Sequence, residues 1–234
     1  MKLHTASRTL PTVEPVVPVA GSPPLQDPAW LYEPKFDGFR GVLYQSPQSS
    51  FIRSKRGTVL RRFSELCERV RRELKVRDVI LDGEVVAIND DGHQDMQALL
   101  AGRGWLHYTV FDVLWINGRD LSRQSLTVRK RRLAELIPES SQTISRVLTV
   151  DGDGRGLFEA VERLDLEGIV AKRKADPYGP RTAWYTVRNP GYTRAEGRRE
   201  LFERKGSGPE SPASGEQRPE AGIASKRLPR RIGP

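Results

Sequence analysis

A lysine, an aspartate two residues on and an arginine five residues on stand together in Lys35-Phe36-Asp37-Gly38-Phe39-Arg40. That company suits a lysine acting as a nucleophile on phosphorus. The amine must be partly deprotonated, and neighbouring cations or a bound metal can lower its pKa enough. Asp37 is suited to orient the amine or help hold a metal, and Arg40 to neutralise phosphate charge. A second stretch, Leu81-Asp82-Gly83-Glu84-Val85-Val86, sets carboxylates in an otherwise apolar run. A carboxylate there is costly unless it has a partner, which makes Glu84 a candidate for function.

Strands must hold these groups. Leu31 to Pro34 is an apolar, aromatic lead-in, Asp37-Gly38 is a turn signal, and Phe39 to Tyr44 reads as a return strand. This reading makes a hairpin with Lys35 beside its turn. A third strand is expected near Phe51 to Ser54. Phe63, Leu66, Cys67, Val70 and Leu74 recur at helical spacing, so Arg62 to Lys75 is an amphipathic helix with a very basic outer face. Val79 to Ile88 is a β-branched run and reads as a buried strand. Met96 to Leu100 reads as a short helix, Leu106 to Ile116 as a strand, and Leu126 to Ile137 as a helix. The run Arg129-Lys130-Arg131-Arg132 on that helix is expected to be a solvated face. Further on come a strand over Ile144 to Val150 and a helix over Gly156 to Leu164, with Leu157, Val161 and Leu164 inward. Gly168 to Lys172 and Ala183 to Arg188 are the late strands. Hairpins and helices intermingle, so the class is α+β rather than a doubly wound sheet.

Residues 1–28 are rich in proline and are expected to be extended, draped over a domain spanning 29–205. From 206 to 234 the chain is Gly, Pro, Ser, Glu and Arg with few apolar residues, which reads as a disordered basic tail. The net charge of +9 over 234 residues favours a polyanionic partner. Nucleic acid ranks ahead of membrane because no long apolar run exists. The single cysteine, Cys67, excludes an intramolecular disulfide and cysteine-rich zinc sites, and its place on the apolar helix face points to packing. His4, His93 and His107 show no metal-ligand spacing. With no apolar leader at the N-terminus, a cytoplasmic location is expected.

Lys35-Phe36-Asp37-Gly38-Phe39-Arg40 resembles the K-x-D-G-x-R signature of covalent nucleotidyltransferases. With Glu33 two residues before the lysine, it most resembles the bacterial ATP-dependent DNA ligases. Five further segments follow in the order of that family's adenylation domain. Arg53-Ser54-Lys55-Arg56-Gly57 resembles S-R-x-G, with Lys55 in place of arginine, which keeps the charge but loses the bidentate fork. Leu81 to Val86 resembles the D-G-E motif, whose glutamate serves the ribose or the metal. Phe111-Asp112-Val113-Leu114 resembles the motif in which an aromatic ring stacks on adenine. Glu167-Gly168-Ile169-Val170-Ala171-Lys172 resembles E-G-[IV]-[VM]-x-K, with Lys172 meeting the α-phosphate. Trp184-Tyr185-Thr186-Val187-Arg188 resembles W-x-K-x-K, but Thr186 stands where the first lysine belongs.

The resemblance implies an ATP-grasp-like nucleotidyltransferase fold of mixed, largely antiparallel sheets with flanking helices. It implies covalent AMP on Lys35, passed to the 5′-phosphate of nicked or broken double-stranded DNA. It makes Glu33, Arg40, Lys55, Glu84, Phe111, Lys172 and Arg188 nucleotide-binding. Asp37, Glu84 and Glu167 would hold Mg²⁺ or Mn²⁺ beside ATP. The family's OB-fold domain is not expected within this chain, so a separate OB-fold or repair protein is an expected partner. Two alternatives stay open: a catalytically weakened nucleic-acid-binding module, and an RNA ligase or capping-type enzyme.

Overall fold

The computed structural model describes residues 9–89 and 94–193. The expected tail at 206–234 lies outside the described residues, as do residues 1–8 and His93. Among the described residues, two sheets and four α-helices are laid out in order. The first strands are β1 (Val19–Ala20), β2 (Gln26–Pro34), β3 (Phe39–Gln45) and β4 (Ser50–Ser54). A 3₁₀ turn at Arg61–Phe63 leads into α1 (Ser64–Glu73), followed by β5 (Val79–Ile88), α2 (Met96–Ala101) and β6 (Trp105–Ile116). Next come β7 (Arg119–Asp120), α3 (Leu126–Leu136), β8 (Ile144–Arg146) and β9 (Val150–Asp153). The last described elements are α4 (Gly154–Arg163), β10 (Gly168–Arg173) and β11 (Trp184–Arg188).

One sheet runs β1-β11-β10-β2-β9 and the other β4-β3-β5-β6-β7, with β8 beside β6. Pairing is antiparallel except β1 with β11 and β6 with β8. The α+β class with largely antiparallel sheets therefore stands. The expected hairpin does not. β2 and β3 lie in different sheets, so residues 35–38 are a crossover between layers rather than a hairpin turn. Gly38 is required there for another reason: a Cβ would meet the Val85 carbonyl oxygen of β5 at 2.4 Å. The single strand expected over Ile144 to Val150 is likewise split, β8 joining one sheet and β9 the other.

The six-stranded sheet buries one face under α1, α2 and α3. Leu43, Ile52, Leu81, Val85 and Val110 meet Leu66, Cys67 and Val70 of α1, Leu99 of α2 and Leu133 of α3. Cys67 packs as expected, and burial pushes its thiol up to about 11, away from reactivity. The five-stranded sheet has its own smaller core, Trp30, Tyr32, Ile169 and Ala171 against Leu157 and Val161 of α4. Leu164, expected inward, is exposed. α4 ends at Arg163, Asp165 takes a left-handed φ of 49°, and the chain turns back through Leu166 instead. The remaining faces of the two sheets line a cleft.

The proline-rich segment from residue 9 lies across that cleft in extended form, yet contributes β1 and the start of β2. Val16 is buried against Tyr44, Ile80 and Trp184, and its amide donates to the Tyr178 hydroxyl at 3.2 Å. Among the described residues, no helix is long and apolar enough to cross a membrane.

Candidate active site

A cavity of about 610 Å³ opens between the sheets, lined by residues from β1 through β11. Alternation places its walls. In β5, Ile80, Asp82 and Glu84 alternate with core residues Leu81 and Val85. In β10 and β11, Val170 opposes Thr186, Lys172 opposes Trp184, and Gly168 opposes Arg188. Phe111 reaches the cleft by a bulge. Asp82 pairs with Asp112 and Gly83 with Val110, so Phe111 is the extra residue on β6. Such an insertion re-aims a side chain. Its ring meets Trp184 edge-on at 5.8 Å.

Lys35 sits where the chain leaves β2. Its amide donates to the Gly168 carbonyl at 2.8 Å, and its Nζ donates to Glu167 Oε2 at 2.6 Å. Gly168 has φ of 150°, and a Cβ there would strike the Val187 carbonyl oxygen at 2.3 Å. Only glycine lets β10 start this close to β11 and keep Glu167 beside Lys35. The lysine side chain is 26% exposed, so it is held but reachable.

Arg40 is gripped more firmly. Its Nε and Nη2 donate to the two oxygens of Asp82 at 3.2 and 2.7 Å, and Nη1 donates to the Val16 carbonyl. Tyr178 donates to Asp82 Oδ2 at 2.6 Å, and burial with the nearby Asp82 raises its pKa. Lys172 Nζ is 3.8 Å from the Trp184 ring centre and 4.6 Å from that of Phe111, and donates to Glu33 Oε2 at 2.6 Å. Burial pushes its pKa down to about 8 despite Glu33, with nearby Lys130 adding repulsion. Glu33 lines the cavity and is also paired with Lys130 of α3.

Glu84 is half-buried and differs from the buried carboxylates around it. Among the described residues it makes no hydrogen bond or ion pair. Burial pushes its pKa up to about 8, opposed by Lys35 and Arg40. Asp37 is buried beside a smaller hollow that it shares with Lys35 and Glu167, and accepts from the Tyr192 hydroxyl at 3.2 Å. Among the described residues no three His, Cys, Asp or Glu side chains form a ready metal site. An unpaired carboxylate with a second one nearby still fits a hard cation that brings most of its own oxygen ligands. Lys55 and Arg188 are exposed on the cavity rim.

Every nucleotide-binding residue expected from sequence therefore lines this one cavity. Asp37 and Glu167 flank Lys35 from the neighbouring hollow. The basic run on α3 is the correction. Arg129 is fully buried, its guanidinium donating to both oxygens of Asp112 at 2.8 and 3.0 Å, and Lys130 is mostly buried against Glu33. Only Arg131 and Arg132 are exposed. A signal existed: Arg129 falls between Leu126 and Leu133 at the spacing of the apolar stripe. Asp82 was also missed as the anchor of Arg40, although the cost of an unpartnered carboxylate in an apolar strand applies to it as to Glu84.

The family described as ATP dependent DNA ligase domain matches residues 22–187. DNA ligase C1 of Mycolicibacterium smegmatis is 30% identical over 193 residues, 73% of this chain and 55% of that protein. The multifunctional non-homologous end joining protein LigD of the same organism is 29% identical over 153 residues, 64% of this chain and 20% of that protein. This chain thus spans about half of the first relative and a fifth of the second. The solved ligase domain of M. tuberculosis LigD has a TM-score of 0.62 at 23% identity, over 74% of this chain and 58% of that one. A mycobacterial DNA ligase D complexed with ATP and MES also has a TM-score of 0.62, over 75% and 60%.

Proposed function

The chain belongs to the ATP-dependent DNA ligase domain family, and on that premise we propose that it transfers AMP from ATP to Lys35. The Lys35 amine attacks the α-phosphorus, a P–N bond forms, and the bond to the pyrophosphate oxygen breaks. The observation that carries this reading is the partly exposed Lys35, 2.6 Å from Glu167, on the edge of a cavity whose depth holds Lys172 and two aromatic rings. The contact with Glu167 supports that carboxylate as the group that receives the amine proton.

Phe111 is the face for the base. Lys172 answers the charge of the phosphates, with Arg188 and Lys55 doing so from the rim. Arg40 acts from its bidentate grip on Asp82, so it contributes fixed positive charge without having to be ordered on binding. Glu84 and Glu167, with Asp37 behind them, would hold Mg²⁺ or Mn²⁺, which neutralises the triphosphate when bound. The lysyl-AMP then serves the 5′-phosphate of nicked or broken double-stranded DNA, and the 3′-hydroxyl displaces AMP. An OB-fold module or a repair protein would grip the DNA from the other side.

Intact mass after incubation with ATP and Mg²⁺ tests this. The wild type gains one AMP, Lys35→Ala gains none, and GTP gives no adduct. Equal adducts on wild type and Lys35→Ala would sink the assignment, and a GMP adduct would favour a capping-type enzyme.

A further inference from the structure

Glu33 has two lysine partners, and only one of them lines the nucleotide cavity. Oε2 accepts from Lys172, which lines it, and Oε1 is paired with Lys130, which does not. The three side chains are 3, 2 and 14% exposed for Glu33, Lys172 and Lys130. Lys130 is held on target by its neighbour. Arg129 locks α3 onto Asp112 of β6, and the first turn of α3 donates from Leu126 and Thr127 to the Asp176 and Lys174 carbonyls at 3.0 and 3.2 Å. Consecutive residues of one helix thus reach carboxylates in both sheets.

A lone buried Glu33–Lys172 pair would be a trap. Moving Lys172 away would leave an uncompensated buried carboxylate, and that cost would keep the lysine where it is. With Lys130 on the other oxygen, Lys172 can leave while Glu33 keeps a counter-ion. Neither of the other inner cations shares its carboxylate with a second cation in this way among the described residues: Lys35 is paired with the partly solvated Glu167, and Arg40 is bound bidentate by Asp82. The need is sharpened by Thr186, which puts a hydroxyl beside Val170 where a cation would otherwise face the cavity.

We propose that Lys130 is a positioning residue for nucleotide binding: by holding the charge of Glu33 it releases Lys172 to a phosphate of the bound triphosphate. This rests on the nucleotide-site reading above. The probe is α,β-methylene-ATP, which cannot yield lysyl-AMP, titrated calorimetrically into the full chain. Lys130→Gln should weaken binding by about tenfold, and Lys130→Arg, which keeps the charge, should recover most of it. In a Glu33→Gln background there is no carboxylate to hold Lys172, so adding Lys130→Gln should change affinity by less than about twofold. A structural role would instead weaken binding equally in both backgrounds, and that result, or no weakening in either, overturns the proposal. Should Lys130→Gln fail to fold alone, Lys130→Met takes its place in both backgrounds, and the same two outcomes decide. A wild type that does not bind the analogue overturns this and the nucleotide-site reading together. Binding with the coupling present, but no adduct with ATP itself, would overturn only the adenylation reading.

Discussion

The two sheets are built from similar strands and carry opposite loads. In the six-stranded sheet, charged residues are locked: Asp112 by Arg129, Asp82 by Arg40 and Tyr178, with aliphatic side chains filling the other face. In the five-stranded sheet the cleft face holds Glu33, Lys172 and Thr186, and the lysine at its exit is partly exposed. One sheet makes a stiff wall; the other presents groups that can change partners. A reactive lysine is better placed on the second, because a bidentate lock like that of Arg40 would hold it away from substrate. Glu84 is the exception on the stiff wall, a half-buried carboxylate with no lock among the described residues.

The sharpest break between the two is a pair of substitutions. Lys35→Ala should abolish AMP transfer while shifting the thermal midpoint little, since its ion pair is partly solvated. Arg129→Met should do the reverse. It leaves Asp112 buried without its counter-ion, a loss of about 3–5 kcal/mol, seen as a lowered urea midpoint. At low temperature and saturating ATP, adenylation per folded molecule should be largely retained, the loosened Lys130 showing only as a weaker ATP affinity. If Arg129→Met leaves stability unchanged, the stiff wall does not depend on its buried pair.

The chemistry was more legible than the layering. Lys35 was singled out by the company of Asp37 and Arg40, and Glu84 by the cost of a carboxylate in an apolar strand, whereas Glu167 and Lys172 came only from the resemblance to a family motif. β5 ran over the residues expected of it. Hydrophobic alternation does not say which sheet a strand joins, so β2 and β3 read as a hairpin. Asp37-Gly38 looks like a turn in sequence, whereas Gly38 answers to a β5 carbonyl that is distant along the chain. The bulge that turns Phe111 into the cleft leaves no local signature, and neither does the left-handed Asp165 that turns Leu164 out. Arg129 is different: its spacing marked it as inward, and the charge of the run hid the fact.

A smaller effect sharpens the contrast from the mobile side. Thr186 lines the cavity between Val170 and Ala20, both small enough to leave room for a longer chain. Thr186→Lys would direct a charge at the phosphates, and one charge-assisted contact contributes about 1.5–3 kcal/mol. The single-turnover adenylation rate should rise roughly tenfold or more. An unchanged or lower rate would mean that the released Lys172 already supplies what the threonine lacks.

The smallest effect is read in stability against pH, with EDTA present so that no cation compensates Glu84. The folded state raises the Glu84 pKa from 4.5 to about 8, mainly by burial. Its contribution is therefore complete below about pH 4.5 and is lost as pH climbs through 8, because the folded protein must give up a proton it holds more tightly than the unfolded chain does. Lys172 works in the next window with the opposite slope. Its pKa falls from 10.5 to about 8, so between those values the unfolded chain binds more protons and stability gains as pH rises. Thermal midpoints of wild type should thus decline from pH 5 to 8 and decline less steeply, or recover, above it. Glu84→Gln removes only the first slope, so the variant should match wild type near pH 5 and exceed it at pH 8. Parallel curves for the two proteins would show that Glu84 is solvated enough to ionise freely, and that both sheets then face the cleft with equally relaxed carboxylates.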